Sequence, residues 1–141
     1  MFPRISLMEL YLIETLRANG VTDDLIIERV KARDVTEFAP YHEQFDFADL
    51  YALDEAGILV EVLEKGYKVK FLTYTGLVNI LELKFNKKKG EDYLADQFTI
   101  SGLHLSAEEI ATLGHILSDN WSLTVQEDGV TIEPLAKPSL S

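Results

Sequence analysis

The sequence predicts an α+β fold, because its helix signals and its strand signals come in separate runs rather than in strict alternation. Two observations carry that expectation. Ser6-Leu7-Met8-Glu9 and Ser106-Ala107-Glu108-Glu109 are both S-x-x-E capping boxes, and each opens a helix. From Tyr67 onward, apolar and polar residues alternate as they do in a half-buried strand. The expected architecture is an N-terminal helical hairpin plus a short helix, then an antiparallel sheet of about four strands. One further helix and a C-terminal β-hairpin complete it. A single domain is expected over residues 1–133, with 134–141 as a flexible tail.

Each element has its own local cause. Ile5 and Leu10 staple the first box, and Leu7, Met8, Leu10, Tyr11, Leu12, Ile13 and Leu16 follow. That is more apolar surface than one stripe requires. The helix is therefore expected to be covered on two sides or to self-associate through Met8, Tyr11 and Leu12. Gly20 ends it, and Thr22-Asp23-Asp24 opens a second helix with a hydroxyl cap and two carboxylates on the positive end of the dipole. Asp46 is expected to cap a short helix that stops by Gly57. The run Ile58 to Leu63 fits a buried strand or a continued helix, and its β-branched residues favour the strand.

A strand from Tyr67 to Thr73, a turn at Gly76 and a strand from Leu77 to Phe85 would form a hairpin. A further strand is expected from Tyr93 to Ser101. The second capping box then starts a helix with the stripe Ile110, Leu113, Ile116 and Leu117. Trp121, Leu123 and Val125 lead into the turn Glu127-Asp128-Gly129, from which Val130 and Ile132 return.

Hydrophobic residues make up 47% of the chain and charged residues 26%, a balance that argues against disorder of the whole chain. There is no cysteine, which removes disulfides, thiol catalysis and thiolate metal sites. The N-terminal stretch is interrupted by Glu9 and Glu14, unlike a signal peptide or a membrane span, so a cytoplasmic protein without membrane attachment is expected.

The net charge of −11 is unevenly spread. Residues 65–89 hold seven lysines against Glu82 alone, whereas residues 34–64 hold nine acidic groups and no basic one. Lys68, Lys70, Lys84, Lys87, Lys88 and Lys89 of the expected basic hairpin could grip phosphates, with Tyr67, Phe71 and Tyr74 for stacking. Lysines on an exposed strand also protect a sheet edge. The overall acidity and the absence of any nucleic-acid motif weigh against nucleic acid as a partner. The acidic residues Asp46, Asp49, Asp54 and Glu55 form a candidate docking face for a basic protein partner, where charge steers the encounter. They do not follow a calcium-loop pattern, and no metal site is expected.

No catalytic residue or cofactor is implied. His104 and His115 have no partner at ligand spacing, and no nucleophile elbow or phosphate loop is present. The expectation is a non-enzymatic protein-interaction or regulatory domain that self-associates. Two alternatives stand beside it. One is a nucleic-acid-linked regulator using residues 65–89 or the N-terminal helix pair; the other is an enzyme with a site assembled from non-local residues.

Overall fold

A computed structural model describes residues 2–135 of the chain. The chain divides into two compact units, Met1–Lys68 and Val69–Ser141. Together they carry the expected α+β composition, with helices and a four-stranded antiparallel sheet. Among the described residues no helix is long and apolar enough to cross a membrane.

In the first unit, strand β1 (Arg4–Ile5) precedes helix α1 (Leu7–Ala18). The capping box closes as expected: Ser6 N–H donates to Glu9 Oε1 at 2.8 Å and Glu9 N–H to Ser6 Oγ at 3.1 Å. Leu10, Leu12, Ile13 and Leu16 are fully buried, so the surplus of apolar residues in α1 serves the core. Helix α2 (Asp23–Lys31) starts at Thr22, whose Oγ1 accepts from Leu25 N–H at 3.2 Å. Two 3₁₀ turns, Thr36–Tyr41 and Phe47–Leu50, pack on α1, and the second runs into helix α3 (Tyr51–Glu55). Asp46 caps that segment and Gly57 ends it at φ 76°, as the sequence suggested.

Residues 58–64 correct the expected strand. They form helix α4 (Leu59–Lys65), which buries Leu59, Val62 and Leu63 at i, i+3 and i+4. The backbone turns at Gly66, and Lys68 N–H donates to Pro3 carbonyl, where the two-residue strand β2 (Lys68–Val69) begins.

The second unit corrects the expected basic hairpin. Helix α5 (Tyr74–Leu83) occupies its centre, opened by Thr73, whose Oγ1 accepts from Gly76 N–H at 3.0 Å. Leu77, Ile80 and Leu81 are buried at helical spacing, which the period-two reading of Leu77, Leu81, Leu83 and Phe85 concealed. The strand expected over 93–101 is itself a hairpin, β3 (Leu94–Asp96) and β4 (Thr99–Leu103), turning at Gln97-Phe98. Helix α6 (Ala107–Ile116) then begins with the second capping box in place, at 2.8 Å and 3.1 Å. Strands β5 (Trp121–Gln126) and β6 (Gly129–Pro134) form the closing hairpin.

The sheet order is β3-β4-β6-β5, so β3 and β5 are its two edges. Ile100, Val130, Ile132 and Trp121 lie on its buried face, with Leu113, Ile116 and Leu117 in the core of the same unit. Pro134, which opens the expected tail, belongs to β6; residues 136–141 lie outside the described residues.

Candidate functional site

The lysines singled out in the sequence do not share one strand ladder. Lys68 begins β2, Lys70 is exposed beyond it, Lys84 sits at the C-terminal end of α5, and Lys87, Lys88 and Lys89 form the following loop. That loop is tied down by Asp92, whose Oδ2 accepts from Lys88 N–H at 2.6 Å. None of these lysines lies on β3 or β5, so none protects an edge of the four-stranded sheet.

The acidic residues differ in how free their charge is. Asp46, Asp49 and Glu55 are exposed. Asp54 is already matched, accepting from Arg33 Nη1 at 2.9 Å and from Lys31 Nζ at 3.1 Å. Those bonds, Arg33 first, hold its carboxyl below the usual carboxylate range. Of the residues expected to mediate self-association, Met8 is exposed and Tyr11 is half-buried, stacked with Phe45. Leu12 is fully buried and offers no surface to a partner. Among the described residues no group of three or more His, Cys, Asp or Glu could hold a metal ion.

One polar cluster is buried within the first unit. Glu14, 3% exposed, accepts from Tyr67 Oη–H at 2.7 Å and from Arg17 Nη1 at 3.0 Å through the same oxygen. Arg17 also grips Asp23 with two bonds, at 2.9 Å and 3.1 Å, and donates to Leu63 carbonyl at 2.9 Å. The cluster thus ties α1 to the start of α2 and to α4. Its guanidinium is committed within the fold, which makes it a strut rather than a reactive centre.

Burial and the neighbouring Glu14 carboxylate push the Tyr67 hydroxyl well above its ordinary value of 10.0. A tyrosine raised in the folded state stabilises fully below its unfolded pKa and loses that contribution as pH rises. The unfolding free energy should therefore hold up to about pH 10 and fall above it. Urea midpoints at rising pH check this, and Tyr67→Phe should flatten the fall.

A groove of ≈ 320 Å³ in the second unit stands apart from these features. Its floor is Leu72 and Trp121, and its walls are Phe71, Tyr74, Phe98 and Pro134. Leu72 is pinned by a closed ring of bonds. Its N–H donates to Ser118 Oγ at 2.8 Å, the Ser118 hydroxyl donates to Asn120 Oδ1, and Asn120 Nδ2 returns to Leu72 carbonyl at 3.1 Å. Trp121 Nε1–H donates to the same carbonyl at 2.7 Å. The floor is rigid and its polar groups are satisfied.

The walls are unlike the floor. Phe71 is 63% exposed and Phe98 60%, far more than large aromatic side chains usually are. Phe98 stands edge-on to Tyr74 at 5.2 Å, and Lys89 Nζ lies 5.6 Å from the Tyr74 ring centre. Gln97 and Phe98 both adopt positive φ, 50° and 70°, in the two-residue turn between β3 and β4. Glycine or asparagine normally fills such a turn. Two side chains held in this region cost on the order of 1 kcal/mol each, and such strain concentrates where it presents a functional group.

Sequence reading pointed to Phe71 and Tyr74 but not to Phe98, Asn120, Trp121 or Pro134, which reach the groove only through the fold. No protein-family model, no curated protein and no solved structure matches this chain.

Proposed function

We propose that the chain is a non-enzymatic protein-interaction domain that holds an extended segment of a partner protein, apolar and acidic in character, in the groove of its second unit. The carrying observation is the pair of exposed phenylalanines, Phe71 and Phe98, flanking a hydrogen-bond-satisfied floor. Exposed aromatic anchors over a rigid base are what binding hot spots are made of. Lys70, next to Phe71, and Lys89, above Tyr74, supply positive charge for carboxylates of the segment. The groove's polar side chains support binding over catalysis. Thr73 Oγ1 caps α5, Asn120 braces Leu72, and Tyr74 is the titratable group in the lining.

Trp121, the chain's single tryptophan, lies in the groove and reports on its occupation. A synthetic peptide alternating glutamate with leucine and phenylalanine should shift its emission saturably. Phe71→Ala should weaken that binding about tenfold, the loss of one aromatic anchor. Phe98→Gly should weaken it similarly while keeping or raising the unfolding midpoint, because glycine relieves the turn. An emission shift unchanged in both variants would sink the proposal. Saturation by oligo-dT, and not by the peptide, would transfer the groove to single-stranded nucleic acid, which also uses aromatic stacking beside lysines.

A further inference from the structure

The two edges of the four-stranded sheet are protected to very different degrees. Strand β3 has three residues and ends on Asp96, and short or charged edges pair poorly with other chains. Strand β5 has six, Trp-Ser-Leu-Thr-Val-Gln, with no charge, no proline and no lysine. Its pairing with β6 runs unbroken from Trp121↔Pro134 to Gln126↔Gly129, so no bulge twists the edge away. Among the described residues, the backbone of Ser122 to Gln126 makes its ladder with β6 alone. Thr124, Val125 and Gln126 are exposed, Val125 at 62%. A β-propensive strand left in this state is a template for another strand.

We propose that the outer edge of β5 pairs antiparallel with β5 of a second copy, joining two sheets into one. Charge selects the occupant. A chain of net charge −11 repels its own kind, and copies can approach closely only where acidic groups are absent. None of the 24 acidic residues lies within β5. A two-fold axis through Thr124 sets Leu123 beside Val125 of the second copy and Ser122 beside its Gln126. Apolar then meets apolar on the core-facing side, and polar meets polar on the other. The contact is small, at the low end of specific interfaces, so the dimer is concentration-dependent. It does not use Met8, Tyr11 or Leu12, and it is independent of peptide binding in the groove.

Sedimentation of the full chain over a wide concentration range tests this. The expected result is a reversible shift from one chain to two. Val125→Lys should weaken association about tenfold or more by putting like charges across the axis, while circular dichroism and peptide-induced Trp121 emission stay unchanged. Val125→Pro should do the same, because the Val125 N–H faces away from β6 and its loss places a ring at the free edge. Met8→Lys should leave the dimer intact. A single-chain mass at every concentration overturns the proposal. So does a dimer that persists in folded Val125→Lys or is lost in Met8→Lys. If Val125→Pro unfolds, Val125→Lys decides.

Discussion

Glu14→Ala should lower the unfolding free energy by about 3 kcal/mol, the cost of breaking a buried charge pair that is only partly sheltered on one side. Glu14 is 3% exposed and Arg17 24%, so the lower part of the usual range applies. The substitution takes from Tyr67 its 2.7 Å acceptor and leaves a void in a helix whose core positions are fully buried. Arg17 keeps both bonds to Asp23 and its bond to Leu63 carbonyl, which limits the damage. Tyr67→Phe removes a donor but no volume and should cost about 1 kcal/mol. Glu14→Gln keeps shape and an acceptor and should fall between the two. Urea unfolding followed by circular dichroism measures all three. A double-mutant cycle on Glu14 and Tyr67 should show a coupling of about 1 kcal/mol, as touching residues in one network do. An effect of Glu14→Ala smaller than that of Tyr67→Phe would mean that the carboxylate contributes nothing net.

The helix starts were legible because their causes are local. Ser6, Thr22, Asp46 and Ser106 each accept from a backbone N–H within three residues, and a side chain that does so announces itself in sequence. Helices α4 and α5 were hidden for a different reason. Val60, Val62, Val78 and Ile80 are β-branched, and short apolar runs fit either period. In α5 the deciding signal was Thr73, a hydroxyl cap that the alternation before it made look like a strand residue. The closing hairpin β5–β6 was legible from its turn Glu127-Asp128-Gly129, but the hairpin β3–β4 read as one strand. The Gln97-Phe98 turn lacks the glycine or asparagine that marks a tight hairpin.

That same mismatch is what makes the groove worth testing. A turn that violates its own chemistry to hold Phe98 outward is a local rule broken, and such breaks gather where a protein binds or reacts. Sequence order could not assemble the remainder. Leu72 donates to Ser118 and accepts from Asn120 and Trp121, 46 to 49 residues away. The acidic stretch shows the opposite limit. Asp54 reads as one more surface carboxylate, yet Lys31 and Arg33 neutralise it from α2 and the loop that follows. A count of charges in a segment is therefore a poor measure of the charge it presents.

Gly129→Ala should destabilise the second unit by about 3 kcal/mol, the sum of a strained backbone and an overpacked contact. Gly129 begins β6 at φ 128°, a conformation that side chains rarely adopt. A Cβ there would lie 3.0 Å from the carbonyl carbon of Gly102 and 3.0 Å from the Leu103 carbonyl oxygen. Both neighbours are backbone atoms of β4, so neither can rotate aside. They sit where the β4–β6 register shifts, between Ile100 and Leu103, with Gly102 itself at φ 69°. Gly90 provides the comparison. It too has positive φ, 85°, but nothing lies within 4 Å of a Cβ placed on it. Gly90→Ala should therefore cost about 1 kcal/mol, the backbone term alone. Thermal or urea unfolding followed by Trp121 emission separates the two substitutions. If they cost the same, the close approach of β6 to β4 is not what requires glycine at 129. If Gly129→Ala costs the larger amount, β6 is held against β4 at that point. The β5 edge, which hangs on β6 through the same hairpin, should then lose its ability to pair in that variant before the rest of the unit unfolds.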